Sequence, residues 1–467
     1  MTEPPIPLAD HPLGPLVRSL AAAVRSAGGR AFLVGGAVRD HLLGLPAEDA
    51  DLEVYGLTPA ALEELAGRFG RVHLVGRRFA VLHLAAPQGQ VELSLPRTES
   101  KTGPGHKGFA VAADPDLPPR EACRRRDFTV NAMLLDPLDG ELLDFWGGRA
   151  DLERGLLRHV SPAFTEDPLR ALRAARFVAR FGWRVAPETI ALCRSLDLSE
   201  LPVERIELEW RQILLRGRRP GAGLLALEDV GALRFFPELA ALRGVPQDPV
   251  WHPEGDVLRH TALCLDAAAR IRPWMEDPWV EMLGVLCHDL GKAVTTRFER
   301  GRWRSPNHDA GAEPAVRALL GRLSRRPSLF DRVWPLVREH LRPTQLYHAR
   351  ERVSDGAIRR LATRVDLPAL VRVAWSDGAG RGEADFPGRP EDWVPGRWLL
   401  ERASALGVEE DRPRPLLRGR DLIELGLEPG PEIGRWIARA FELQLDGEIT
   451  DREEALAWAR RRLAGRG

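Results

Sequence analysis

The chain has 467 residues, too long for one ordinary hydrophobic core, so two to four domains are expected. Its 44% hydrophobic and 29% charged residues indicate a soluble globular protein; no apolar run approaches the roughly 18 residues of a membrane span, and the Pro-rich start has no signal-peptide layout, so a membrane is excluded and the cytoplasm expected. A net charge of zero gives no overall pull toward nucleic acid, so any RNA site must be a local basic patch.

Leu16, Leu20 and Val24 recur at helical spacing and predict a helix over residues 16–27, behind the strand that follows. That strand is the apolar run Phe32, Leu33, Val34. It meets Gly35 and Gly36, then a short amphipathic piece carrying Arg39 and Asp40, then Asp49 and Asp51 at the opening of a second apolar run. The reading is strand, glycine turn, short helix, strand. Side chains two apart in a strand face one way, so Asp49 and Asp51 point to one side. Two carboxylates held that close repel unless a cation sits between them, and hard oxygen donors suit Mg²⁺. Glycines without Cβ let backbone N–H groups approach a phosphate chain, and phosphate beside a two-carboxylate magnesium site points to nucleotidyl transfer. In this order Gly35, Gly36, Val38, Arg39, Asp40, Asp49 and Asp51 resemble the head motif of the class II tRNA nucleotidyltransferase and poly(A) polymerase family.

Thr58 opens a predicted helix through Phe69, and strands are predicted over 72–75, 79–84 and 91–95. In the resembling family a carboxylate in the last of these completes the metal site, which implies Glu92 as a third acid. Residues 98–119 are rich in Gly and Pro and read as a mobile loop. They are similar to the flexible loop of bacterial CCA-adding enzymes, and their full length implies an enzyme able to add the terminal A. Arg125, Arg126, Asp127 and Asn131 match the family's R-R-D-x-x-x-N motif; guanidinium groups suit a triphosphate or ribose, and an Asp accepts from a 2′-hydroxyl.

From about Asp151 helical spacing replaces the strand signal. Glu166, Asp167 and Arg170 open a predicted helix that runs on through Arg173, Arg176 and Arg180, with Asp167 and Arg170 three apart on one face. A carboxylate accepts from the exocyclic amino group of cytosine or adenine, and a guanidinium donates to their ring acceptors. Guanine and uracil present a carbonyl and a ring N–H instead, so the pair would accept CTP and ATP and refuse GTP and UTP. Such spacing more often marks a plain salt bridge; E-D-x-x-R is the family's template motif, so the resemblance implies selection, with Arg173 and Arg176 beside the nucleotide. Glu204, Arg205, Ile206 and Glu209 resemble the next family motif, which braces the template helix.

Farther on, His260, His288, Asp289, His308, His340 and Asp377 follow the order H…HD…D, with two further histidines, of the HD phosphohydrolase superfamily. Mixed imidazole and carboxylate ligands suit a transition metal such as Ni²⁺ or Mn²⁺ rather than Mg²⁺, and such a site lowers the pKa of bound water for phosphoester attack. The four cysteines, Cys123, Cys193, Cys264 and Cys287, show no C-x-x-C spacing and read as buried small hydrophobes. Near the end, Thr450 to Glu453 reads as a capping box for the last helix.

The resemblance covers the whole chain. It implies an α+β protein: a polymerase-β-like nucleotidyltransferase α/β head over 1–150, a helical neck and body over 151–250, an HD domain over 251–380 and a helical tail over 381–467 that offers a docking site for tRNA. It implies addition of CMP and AMP from CTP and ATP to the 3′ end of tRNA. Asp49 and Asp51 hold Mg²⁺, while Gly35, Gly36, Arg39, Arg126, Asp127 and Asn131 bind the nucleotide. The HD domain implies phosphatase or 2′,3′-cyclic phosphodiesterase activity. Addition of only A or only CC, poly(A) synthesis, and an HD hydrolase as the main activity stay open as alternatives.

Overall fold

The buried stripe Leu16, Val17, Leu20, Ala21 and Val24 turns one face of helix α1 (Gly14–Ser26) toward strand β1 (Arg30–Val34), whose last four residues are all buried. The computed structural model describes residues 12–46, 50–75, 81–101, 109–382, 386–409 and 412–464. β1 runs through the glycine turn into α2 (Gly36–Leu42) and on to β2 (Ala50–Tyr55), as the alternation of apolar runs and glycine predicts. Next come α3 (Pro59–Ala66), with the Thr58 hydroxyl accepting from the Ala61 N–H, then β3 (Arg71–Val75), β4 (Val81–Ala86) and β5 (Gly89–Ser94).

Residues 98–119 are not a plain loop. Strands β6 (Arg97–Lys101) and β7 (Phe109–Ala113) pair antiparallel, and α4 (Pro119–Arg124) follows at once. Gly103, Pro104, Gly105 and Gly108 fall in residues 102–108, which lie outside the described part. The short strands β8 (Leu134–Leu135) and β9 (Leu142–Leu143) and helix α5 (Gly148–Glu153) complete the region. Seven strands form one sheet in the order β3-β4-β5-β2-β1-β8-β9, antiparallel except for β2 against β5. That parallel pair sets Asp51 opposite Glu92 and Glu53 opposite Ser94. The alternate residues Leu52 and Val54 are fully buried in the core, so the pleat sorts carboxylates to one face and core to the other.

Beyond the sheet the chain is mainly helical, though two pairs of short strands interrupt it: β10 (Leu156–Leu157) beside β11 (Arg184–Val185), and the hairpin β12 (Arg297–Glu299) with β13 (Arg302–Arg304). Two compact units result, Met1–Ile206 with Ala226–Phe235, and Glu207–Leu225 with Phe236–Gly467.

In the second unit the helix Pro278–Cys287 is buried along its length from Trp279 to Cys287, as an all-round apolar sequence requires. The helices Val257–Ile271, Ser328–Glu339 and Leu367–Ala379 pack around it. Asp256, Asp277 and Asp366 fix where three of these four begin, each accepting an N–H of the first turn. The final helices, Pro431–Asp446 and Arg452–Ala464, close a small core round Leu422, Trp436 and Ile449. The last one is capped one residue later than the sequence suggests: Asp451 accepts from the Glu454 N–H, and it is Glu454, not Glu453, that reaches back to Thr450. No helix among the described residues is long and apolar enough to cross a membrane.

Candidate functional site

In the first unit a cavity of about 740 Å³ opens over the carboxylate face of the sheet. Gly35 and Gly36 line it at the end of β1, Asp51 and Glu53 on β2, Glu92 on β5, and Arg126, Asp127 and Asn131 on the turn after α4. Helix α6 (Arg170–Phe181) contributes Arg170, Arg173 and Arg176. Every described residue assigned to the nucleotide from sequence therefore meets here, and Asp51 and Glu92 arrive in register on neighbouring strands. Asp49 lies outside the described residues. Gly35 holds φ +66°, and a Cβ there would come within 3.4 Å of Arg126 Nη1 and 4.0 Å of Asp51 Oδ2, so glycine keeps both the turn and the cavity floor clear.

Beneath the cavity the motif residues are locked together by charge. Arg39 is buried; its Nε donates to Asp40 Oδ1 and its Nη1 to Asn131 Oδ1, both at 2.7 Å, and its guanidinium stands 5.1 and 5.0 Å from the rings of Phe177 and Phe181. Arg180 takes the other oxygen of Asp40 at 2.9 Å. Asn131 Nδ2 donates to Asp127 Oδ1 at 3.0 Å, and Arg173 Nη2 lies 2.5 Å from Asp127 Oδ2. Burial alone would raise the Asp127 carboxyl, but Arg173, Asn131 and the Phe128 N–H outweigh it and hold it well below the usual carboxylate range. Arg126 Nη2 sits 2.6 Å from Glu53 Oε2, a partner the sequence reading passed over although Glu53 continues the same alternation two residues past Asp51.

Asp167 and Arg170 line the same cavity but do not share a helix face. Asp167 is extended, at φ −121° and ψ 101°, and α6 begins only at Arg170. Pro168 explains the difference, since the residue before a proline is pushed out of the helical region. Asp167 Oδ1 accepts from the Leu169 N–H, and its Oδ2 accepts from Arg205 Nη2 at 2.9 Å. Arg170 donates to the carbonyls of Ala163 and Arg125. The pair is thus anchored from outside the helix rather than by an i,i+3 contact, and Arg205 is the residue of its motif that reaches Asp167.

In the second unit all six residues of the H…HD…D set are buried and meet. His260 Nε2 is 3.1 Å from Asp377 Oδ1, His288 Nε2 is 3.2 Å from Asp289 Oδ2, and His308 Nε2 is 3.3 Å from Asp289 Oδ1. The His340 ring lies 5.4 Å from that of His288 and 5.3 Å from that of His308. All four imidazoles are oriented alike. Nδ1 is held by the carbonyl of Val285 for His288, of Val337 for His340, of Ser305 for His308, and by the Glu254 carboxylate for His260. An Nδ1–H so engaged leaves Nε2 as the lone-pair donor facing inward, the arrangement that metal-ligating histidines adopt. The Nε2 atoms of His288 and His340 are buried with no hydrogen-bond partner of ordinary geometry. Orphaned inward lone pairs beside two carboxylates fit a divalent cation.

The two central imidazoles are pushed in opposite directions by their neighbours. Burial would lower His288, but Asp289 beside it pushes the imidazole up to about 10; His340, buried next to His288 and His308, is pushed down to about 4. Gly291 allows the assembly: a Cβ there would fall 1.9 Å from the His308 carbonyl oxygen. Glu254 and Lys292, whose Nζ lies 2.7 Å from Asp289 Oδ2, were missed in the sequence, though Lys292 stands only three residues past Asp289. Cys264 is also more than a small hydrophobe, because its Sγ is 3.4 Å from His260 Nε2 and it groups with His260, His288 and Asp377.

Residues 31–158 match the family model described as Poly A polymerase head domain. The chain is 40% identical over 425 residues to the multifunctional CCA protein of Xanthomonas campestris pv. campestris (strain B100), covering 88% of this chain and 96% of that one. It is 44% identical over 406 residues to the multifunctional CCA protein of Nitrosococcus oceani, covering 84% and 95%. Among solved structures it is similar to the Bacillus stearothermophilus CCA-adding enzyme in complex with CTP: 22% identity, TM-score 0.66, 97% of this chain and 98% of that one. At that identity the likeness is one of fold.

Proposed function

As the chain belongs to the multifunctional CCA protein family, we propose that its first unit adds CMP and AMP from CTP and ATP to the 3′ end of tRNA, releasing pyrophosphate. The observation that carries this is the convergence of Asp51, Glu92, the Gly35 turn and the arginines of α6 on one cavity. Asp51 and Glu92, with Asp49, are the residues that would hold Mg²⁺, which when bound supplies activation of the tRNA 3′-hydroxyl and charge neutralisation for the departing pyrophosphate. Gly35 and Gly36 offer close approach to the triphosphate, and Arg126 and Asp127 take its phosphates and sugar. Asp167, steadied by Arg205, accepts from the base amino group. A guanidinium has five N–H donors, so the two bonds Arg170 makes to carbonyls leave others for the base ring.

A specific observation favours a second activity. The inward Nε2 atoms of His260, His288, His308 and His340, with Asp289 and Asp377, suit a transition metal such as Ni²⁺ or Mn²⁺; bound there, it would supply a hydroxide at neutral pH for phosphoester hydrolysis. Reciprocal variants test both assignments. Asp51→Ala is expected to abolish nucleotide addition and spare phosphate release, and Asp289→Ala to do the opposite. Normal addition by Asp51→Ala would show that the transfer site is elsewhere; loss of addition in Asp289→Ala would show that the two activities are not separable.

A further inference from the structure

Beside the histidine cluster lies a second cavity of about 470 Å³, lined by Asp289, Lys292, His308, His340 and Asp377 at its base and by Trp251, Trp303 and Arg304 farther out. Its surroundings are unlike the rest of the surface. Of the eleven large apolar side chains exposed among the described residues, five, Val250, Trp251, Val294, Phe298 and Trp303, come from the two short segments that border this cavity. Trp251 is 58% exposed and Trp303 36%. Trp303 stands on β13 with Phe298 across the hairpin at 5.2 Å, edge to face. The next residue, Arg304, also lines the cavity and sets a guanidinium beside the indoles.

Exposed indoles are costly unless they meet something flat and apolar, and a guanidinium on a cavity wall is a ready partner for a phosphate. A simple phosphate would use Arg304 and the cluster and leave both indoles in water. A nucleoside phosphate uses all of them. Resting on the reading of this cluster as a phosphohydrolase, we propose that Trp251 and Trp303 form a base-stacking subsite. A nucleoside phosphate, free or at the end of an RNA, then places its phosphate between Arg304 and the histidine cluster. Stacking of a base on an aromatic side chain is sequence-tolerant, so the subsite discriminates nucleosides from other phosphate esters rather than one base from another.

The test is calorimetric titration of the full-length, manganese-loaded protein with adenosine 3′-monophosphate, with ribose 5-phosphate as the base-free probe, and with a short RNA ending in a 3′-phosphate. Trp303→Ala and Trp251→Ala are each expected to weaken adenosine 3′-monophosphate by roughly tenfold while leaving ribose 5-phosphate unchanged, and Trp303→Phe to restore most of the loss. Of the two nucleoside-bearing probes, the one bound more tightly by the unaltered protein identifies the source of the ligand, and its loss in Trp303→Ala supports the subsite in either case. Both side chains are exposed, so the variants are expected to fold, and unchanged nucleotide addition by the first unit checks this. Equal weakening of adenosine 3′-monophosphate and ribose 5-phosphate, or no weakening of either, would overturn the subsite. If the binding difference stands but no phosphate is released from any probe, the subsite is upheld and the hydrolase reading fails.

Discussion

Glu53 is buried on β2, with its carboxylate against Arg126 and accepting the Tyr55 hydroxyl at 2.8 Å. Burial would raise its pKa, yet Arg126 and Tyr55 outweigh burial and hold it below the ordinary glutamate value. A carboxyl depressed in the fold stabilises it above the unfolded value of about 4.3, and that stability is withdrawn as the pH falls toward the folded value. Asp127 works in the same direction. Urea midpoints measured from pH 7 to pH 3 are therefore expected to fall steeply below about pH 4.3 in the unaltered protein. Glu53→Gln is expected to start lower, losing part of the roughly 3–5 kcal/mol that removing one member of a buried ion pair costs, and to show a shallower acid slope. An unchanged slope would mean that Glu53 is not ionised in the fold. Asp51 was legible because carboxylates at a strand opening are conspicuous; Glu53 was not, because an acid inside an apolar run gives no hint of a partner 73 residues away.

Individual elements show the same division. The succession of β1, the glycine turn, α2 and β2 was readable since each step is signalled within a few residues. The start of α6 was signalled too, by Pro168, but the template motif and its helical spacing drew the reading past it. The hairpin of β6 and β7 was masked by the Gly and Pro residues between its strands. In the second unit the order of His and Asp along the chain pointed to the residues that the fold gathers into one cluster, whereas Glu254 and Cys264 join that cluster only when the helices pack. Gly291 is a tight point of that packing. Gly291→Ala must displace the His308 backbone, 1.9 Å from where the new Cβ would fall. The expected result is metal binding by the histidine cluster weakened by at least tenfold, read by calorimetric Mn²⁺ titration and set against Asp289→Ala as the blank, with nucleotide addition retained. Unaltered metal affinity would show that His308 is not a ligand.

Across the whole molecule, a net charge of zero conceals two sites of different character, one in each compact unit. The first gathers arginines over a carboxylate pair; the second buries imidazoles with carboxylates. Bulk composition reports neither, because each is a local concentration assembled by folding. On the proposed reading one cavity, lined by Asp51, Asp167 and Arg170, performs every addition. The most direct measurement supplies CTP, ATP or both, and separately GTP or UTP, to three tRNA transcripts, ending before CCA, after the first C and after CC. Completion of all three to CCA when both nucleotides are present, with GTP and UTP refused, is the predicted result. Extension of only the CC-ending transcript, or arrest after CC, would contradict it and assign the chain to a pathway divided between two enzymes.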